Sequence, residues 1–163
     1  MTDRQFGDPV LDDFRNFLYL LWEFLGLPEP TPAQYEIAYF LQHGFPETYD
    51  AARGRFDIVE AFRGVGKSYI AAGFALWLLK RNPRDTKILV VSATANKSKE
   101  FVAQCKLILM GWDCLKELRP RPDQRDAFDR FDVNGASIAQ SPSLRAASIT
   151  GQVTGSRATH IFA

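Results

Sequence analysis

Sulfur and imidazole are scarce in this chain, which has two cysteines, Cys105 and Cys114, and two histidines, His43 and His160. Their spacing fits neither a zinc site nor a disulfide framework, so reduced, buried thiols are the expected state. A charge imbalance is also missing. The net charge of +1 gives no global attraction to nucleic acid, so any such contact would rest on a local basic patch. Long apolar runs are absent too: Tyr69–Leu79 falls well short of the ~20 residues needed to cross a bilayer, and Glu23 interrupts the other candidate. No membrane span is expected. The opening MTDRQFGDPV lacks the basic and then apolar build of a signal peptide, which predicts a protein that stays in the cytoplasm. There is no internal repeat and no low-complexity tract. What remains is 163 residues, 46% hydrophobic and 24% charged, the length and balance of one soluble globular folding unit.

Helix signals dominate the first part. Asp8-Pro9 reads as N-cap and first helical position, and Leu11, Phe14, Leu18, Leu21 and Leu25 follow at helical spacing, predicting one helix to about Leu25. Gly26 and Pro28 stop it. Thr31 and Pro32 open a second helix that reaches about Gln42. A polar stretch with Gly44, Pro46 and Gly54 leads to the apolar run Phe56–Phe62, short enough for a buried strand. A helix is predicted over Tyr69–Leu79, ended by Asn82-Pro83, then a strand over Lys87–Ser92 and a helix over Asn96–Met110 with Phe101, Cys105 and Leu109 on one stripe. Strand, helix, strand, helix in that order predicts a parallel sheet. Further short strands are predicted at Phe128–Val133, Ala136–Ala139 and from His160 to Ala163. Two regions follow: a helical segment over residues 1–45 and an α/β region over 46–163.

The chemistry concentrates in EAFRGVGKS, Glu60–Ser68. A phosphate-binding loop needs glycines so that successive N–H groups can point inward, a lysine for the β- and γ-phosphates and a hydroxyl for magnesium. Gly64, Gly66, Lys67 and Ser68 supply them, between a predicted strand and a predicted helix. The pattern G-x-x-x-x-G-K-[ST] departs at its first position, where Ala61 stands for glycine.

Three other features each allow two readings. Thr31-x-x-Gln34 is a capping box, but the Gln34 amide, a donor and an acceptor upstream of a glycine loop, also suits an adenine edge; one side chain cannot fill both roles fully. The basic stretch Arg119–Arg125 could meet DNA phosphates, although Asp123, Asp126 and the prolines favour a solvated loop. Arg157, in GQVTGSR before the last strand, is either a turn arginine or one presented at a sheet rim, where an arginine finger can be worth about 10³–10⁵ in phosphoryl transfer.

Together FRGVGKS, KILVVSATANKSKEF, RPRPDQRDAF and SPSLRAASITGQVTGSRATHIFA make the chain resemble the large terminase subunit of short-tailed, double-stranded DNA phages, over nearly its whole length. That resemblance implies a P-loop NTPase of the ASCE or RecA-like type: a parallel sheet flanked by helices, cut off at the Walker B strand. It implies an ATPase part that drives DNA into the procapsid and a separate endonuclease domain. It gives ATP and Mg²⁺ as cofactors, Gly64, Val65, Gly66, Lys67 and Ser68 as the phosphate cradle with Ser68 on the metal, Gln34 on adenine, Arg63 on the γ-phosphate and Arg157 acting on a neighbour's ATP. The partners it implies are the portal protein, the small terminase subunit, DNA and copies of the chain in a ring, in the host cytoplasm and transiently at the portal vertex.

The sequence departs from the family by stopping at Ala163, before the Walker B aspartate and the catalytic glutamate. The expectations are therefore a fragment or a prematurely ended reading frame, nucleotide binding at most with negligible turnover, and unpaired strand edges that leave the chain marginally stable and prone to associate. Two other function classes fit in part: a helicase-like P-loop ATPase, and a non-catalytic truncated chain that meets partners through the aromatic helix Phe14–Phe24. The latter competes with plain packing of Phe14, Phe17, Leu21 and Phe24 on the core.

Overall fold

The structure is a computed structural model that describes residues 7–44, 49–50, 54–151 and 157–163. Pro46, most of GQVTGSR and the 45/46 boundary of the two predicted regions lie outside the described residues. The chain falls into two compact units, Met1–Trp77 and Leu78–Ala163.

In the first unit the predicted N-terminal helix is two helices, α1 (Pro9–Asp12) and α2 (Phe14–Phe24). Asp13 breaks it: its backbone is extended and its carboxylate caps α2 by accepting from the Arg15 N–H. The orphaned groups at the break find a partner in Gln42, whose Oε1 accepts from the Phe14 N–H at 2.8 Å and whose Nε2 donates to the Asp12 carbonyl at 2.8 Å. A single amide thus replaces the helical bonds lost there.

Helix α3 (Pro32–His43) starts as predicted, with both halves of the Thr31–Gln34 capping box formed. Two short strands, β1 (Tyr49–Asp50) and β2 (Gly54–Arg55), pair antiparallel. From β2 the Arg55 guanidinium reaches the Leu41 and Gln42 carbonyls, a cation on the negative end of α3.

The core of this unit is aromatic. Phe14, fully buried, stands edge-on to Phe74 with ring centroids 5.1 Å apart and lies 5.5 Å from the Trp77 ring. Trp77 donates its indole N–H to the Val10 carbonyl at 2.9 Å, so its buried polar atom is satisfied. Phe74 and Trp77 come from α4 (Lys67–Arg81), whose residues divide between the two units. Gly73 lets α4 approach α2 closely, since a Cβ there would stand 2.7 Å from Leu21 Cδ2. Phe14, Phe17 and Leu21 are buried, which is the core-packing reading of the aromatic helix, while Phe24 is exposed.

The predicted buried strand Phe56–Phe62 is not a strand. The segment has no regular structure, and Phe56, Ile58 and Phe62 are 68%, 83% and 70% exposed. An apolar run becomes a strand only when a neighbour takes its N–H and C=O groups, and among the described residues no strand pairs with it.

The second unit holds a mixed, mainly parallel sheet. β3 (Ile88–Ser92) lies between β5 (Leu144–Ser148) and β6 (His160–Phe162), parallel to both, and β4 (Arg130–Phe131) adds antiparallel to β5, giving the order β4-β5-β3-β6. Helix α5 (Ala95–Gly111) packs on β3 and β5. It buries Cys105 and Leu109 as predicted, and burial pushes the Cys105 thiol pKa up. Cys114 is half-buried and neither cysteine is in a disulfide. The expected parallel sheet is present, so the α/β class stands.

One strand expectation fails here, another, Phe128–Val133, shrinks to the two residues of β4, and one strand was missed. Ala136–Ala139 is irregular with Ile138 fully exposed, because the preceding Asn134-Gly135 turn, with Gly135 at φ 88°, sends the chain away from the sheet. LRAAS, which became β5, was not predicted.

Arg119, Arg121 and Arg125 each pair with an aspartate (Asp113, Asp123 and Asp132); Arg121 and Asp123 are exposed, but Arg125 is half-buried and Asp132 buried, so the stretch is only in part the solvated loop expected. Arg125 is the hub. It donates two bonds to Asp132, at 2.7 and 3.2 Å, and others to the carbonyls of Ala139, Gln140 and Ser141. Asp132 in turn accepts from the Ser143 N–H, and the Ser143 hydroxyl accepts from the Val133 N–H. These bonds set the entry into β5.

Two buried lysines behave differently. Lys106 meets the Asp126 carboxylate at 2.7 Å. Lys87 is 7% exposed and its Nζ has no hydrogen-bond partner among the described residues. Burial holds the Lys87 pKa below the usual lysine value, partly offset by Asp132. Replacing it with methionine, Lys87→Met, is expected to raise stability by about 1–3 kcal/mol, the penalty of an unsatisfied buried polar group. A folded-state pKa below the unfolded value means that the unfolded chain binds more protons between the two. Wild-type stability should therefore climb with pH as the unfolded lysine value is approached, and Lys87→Met should lack that climb in urea titrations.

Candidate phosphate-binding loop

The glycine loop lies in the first unit, ahead of α4. Gly64 and Gly66 sit at φ 94° and 85°, left-handed values open to glycine at little strain. Positive φ is confined to glycine among the described residues, so the Ala61 backbone is not left-handed and the loop has no need of glycine there. The Val65 N–H closes a turn onto the Phe62 carbonyl, and Ile70 bonds back to the Gly66 carbonyl as α4 begins. Helix geometry leaves the first N–H groups of α4 without intrahelical partners, with the positive end of the helix dipole behind them.

Lys67 is exposed and folds back on its own loop, its ammonium donating to the carbonyls of Ala61 and Phe62 (the latter at 3.2 Å). Ser68 and Arg63 are exposed on the same loop, and Val65 is buried beneath it. A loop with two left-handed glycines, a mobile-stemmed cation and a hydroxyl at a helix start fits a triphosphate. Ser68 could supply one magnesium ligand. Among the described residues no group of three His, Cys, Asp or Glu side chains could hold a metal.

Gln34 joins this loop. Its Oε1 accepts from the Thr31 N–H at 2.8 Å within the capping box, and its Nε2 donates to the Val65 carbonyl at 2.9 Å. A Cβ on Gly66 would stand 3.5 Å from Gln34 Nε2 and 3.5 Å from Trp22 Cζ2. Trp22, on α2, thus lies beside the loop at Gly66, a neighbour not singled out from the sequence. Arg157 is in the second unit, exposed just before β6, with its N–H on the Ser141 hydroxyl at 3.0 Å.

No protein-family model matches the chain. Over 151 residues, 93% of its length, the chain is 42% identical to the large terminase subunit of Enterobacteria phage T3, and it spans 24% of that protein. No helix among the described residues is long and apolar enough to cross a membrane.

Proposed function

We propose that this chain, which belongs with the phage large terminase subunits on that identity, is the ATP-binding part of a viral DNA-packaging motor built on the P-loop NTPase fold. The observation that carries the reading is the loop itself. Gly64 and Gly66 are left-handed, and the exposed Lys67 ammonium rests on the loop's own carbonyls, within the same loop that would take the phosphate. In this role Gly64–Ser68 wrap the phosphates with backbone N–H groups, Lys67 neutralises the β- and γ-phosphate charge and the Ser68 hydroxyl holds Mg²⁺. Arg63 faces the γ-phosphate, and Arg157 acts on a neighbouring subunit's nucleotide in a ring. The motor couples ATP hydrolysis to DNA translocation into the procapsid, with the portal protein, the small subunit and double-stranded DNA as partners; an endonuclease belongs to the longer protein.

Titration with a fluorescent ATP analogue and magnesium tests the nucleotide claim. Wild-type chain is expected to bind saturably, and Lys67→Ala to bind more than about tenfold more weakly, since the variant loses a charge-assisted contact with phosphate. Equal affinity of the two, or no binding by the wild type, would count against the reading.

A further inference from the structure

We propose that Gln34 is a positioning residue that holds the glycine loop in its phosphate-ready form through the Val65 carbonyl. This deepens the nucleotide reading above and rests on it. The two ends of the amide have separate tasks. Oε1 belongs to the start of α3, where the Thr31 N–H donates to it at 2.8 Å while the Thr31 hydroxyl accepts from the Gln34 N–H at 3.4 Å. Nε2 belongs to the loop, donating to Val65 O at 2.9 Å.

The helix cap fixes the amide, and the amide fixes the peptide between two left-handed glycines. Anchoring the Val65 carbonyl on the Gln34 side also fixes the opposite edge of the same peptide plane, which is the Gly66 N–H. That donor's direction then depends on a side chain from another helix. Val65 is buried, so the anchor stands on a packed floor.

Gln34→Glu, compared with the uncharged Gln34→Met, separates the roles. Both remove the donor to Val65 O, glutamate alone keeps the acceptor for the Thr31 N–H, and methionine adds no charge that would itself repel a polyanion. A loop-holding role predicts that affinities for an ATP analogue, a GTP analogue and inorganic tripolyphosphate all fall by a common factor, about three- to tenfold, the value of one hydrogen bond. It also predicts faster amide hydrogen exchange over residues 61–68 in the ligand-free variants. Loss of ATP-analogue affinity with tripolyphosphate binding unchanged would overturn the inference in favour of a base contact. Unchanged affinity for all three ligands, or unchanged loop exchange, would overturn it in favour of a helix cap alone. Failure of the wild type to bind any of the three is a different result, which removes the nucleotide reading itself.

Discussion

Arg125→Ala is expected to destabilise the chain by about 1–3 kcal/mol, the cost of leaving the buried Asp132 carboxylate without its partly exposed partner. Asp132 is buried, and without the guanidinium its carboxylate keeps only the Ser143 N–H among the bonds described above, while the Ala139, Gln140 and Ser141 carbonyls lose a shared donor. Arg125→Lys should recover only part of the loss, because an ammonium cannot present the planar fork that reaches Asp132 and the carbonyls together. Removing the carboxylate as well, in Arg125→Met with Asp132→Leu, should restore much of the stability by eliminating the stranded charge. Urea midpoints of the four proteins decide this. An Arg125→Ala midpoint equal to wild type would show that the network contributes nothing.

Phe14→Ala is the second large effect, with an expected loss of about 3–5 kcal/mol for a fully buried aromatic side chain. The ring lies among Phe17, Phe74 and Trp77, so alanine leaves a cavity whose walls are themselves large and slow to collapse inward. Phe14 also donates its backbone N–H to Gln42, a bond that alanine retains, so the loss reports packing alone. Phe14→Leu, which refills part of the space, should fall between alanine and wild type. Thermal melts followed by the near-ultraviolet signal of the tryptophans measure it, and a shift no larger than that of an exposed site such as Tyr19→Ala would refute the packing account.

Helix starts were readable because their chemistry is local. Thr31, Pro32 and Gln34 stand within one turn of one another and formed the box their order predicts. The apolar periods of α4, β3 and α5 were equally legible. The break at Asp13 was hidden because half of its explanation, Gln42, lies 28 residues from Phe14. LRAAS has a charged residue and two alanines and little strand preference of its own; it is a strand because β3 and β4 flank it and Arg125 fixes its approach. Phe56–Phe62 erred the other way, with strand-like composition and no pairing partner among the described residues.

The loop divides along the same line. Gly64, Gly66, Lys67 and Ser68 announce themselves by spacing. The bond from Gln34 to Val65 spans 31 residues and ends on a backbone oxygen, which no residue type can signal.

The resting position of Lys67 sets a rule for whatever enters the loop. Its ammonium is already solvated by peptide oxygens, so an incoming anion exchanges one set of oxygen neighbours for another and does not meet a bare charge. Observed affinity is then a difference between two coordination shells. A change that merely rotates the peptides of Ala61 and Phe62 away from the lysine would tighten binding without touching the ligand, and one that improves their reach would weaken it. If the loop takes a phosphate as proposed, it carries a built-in competitor, and an anion would bind there only by replacing those two carbonyls.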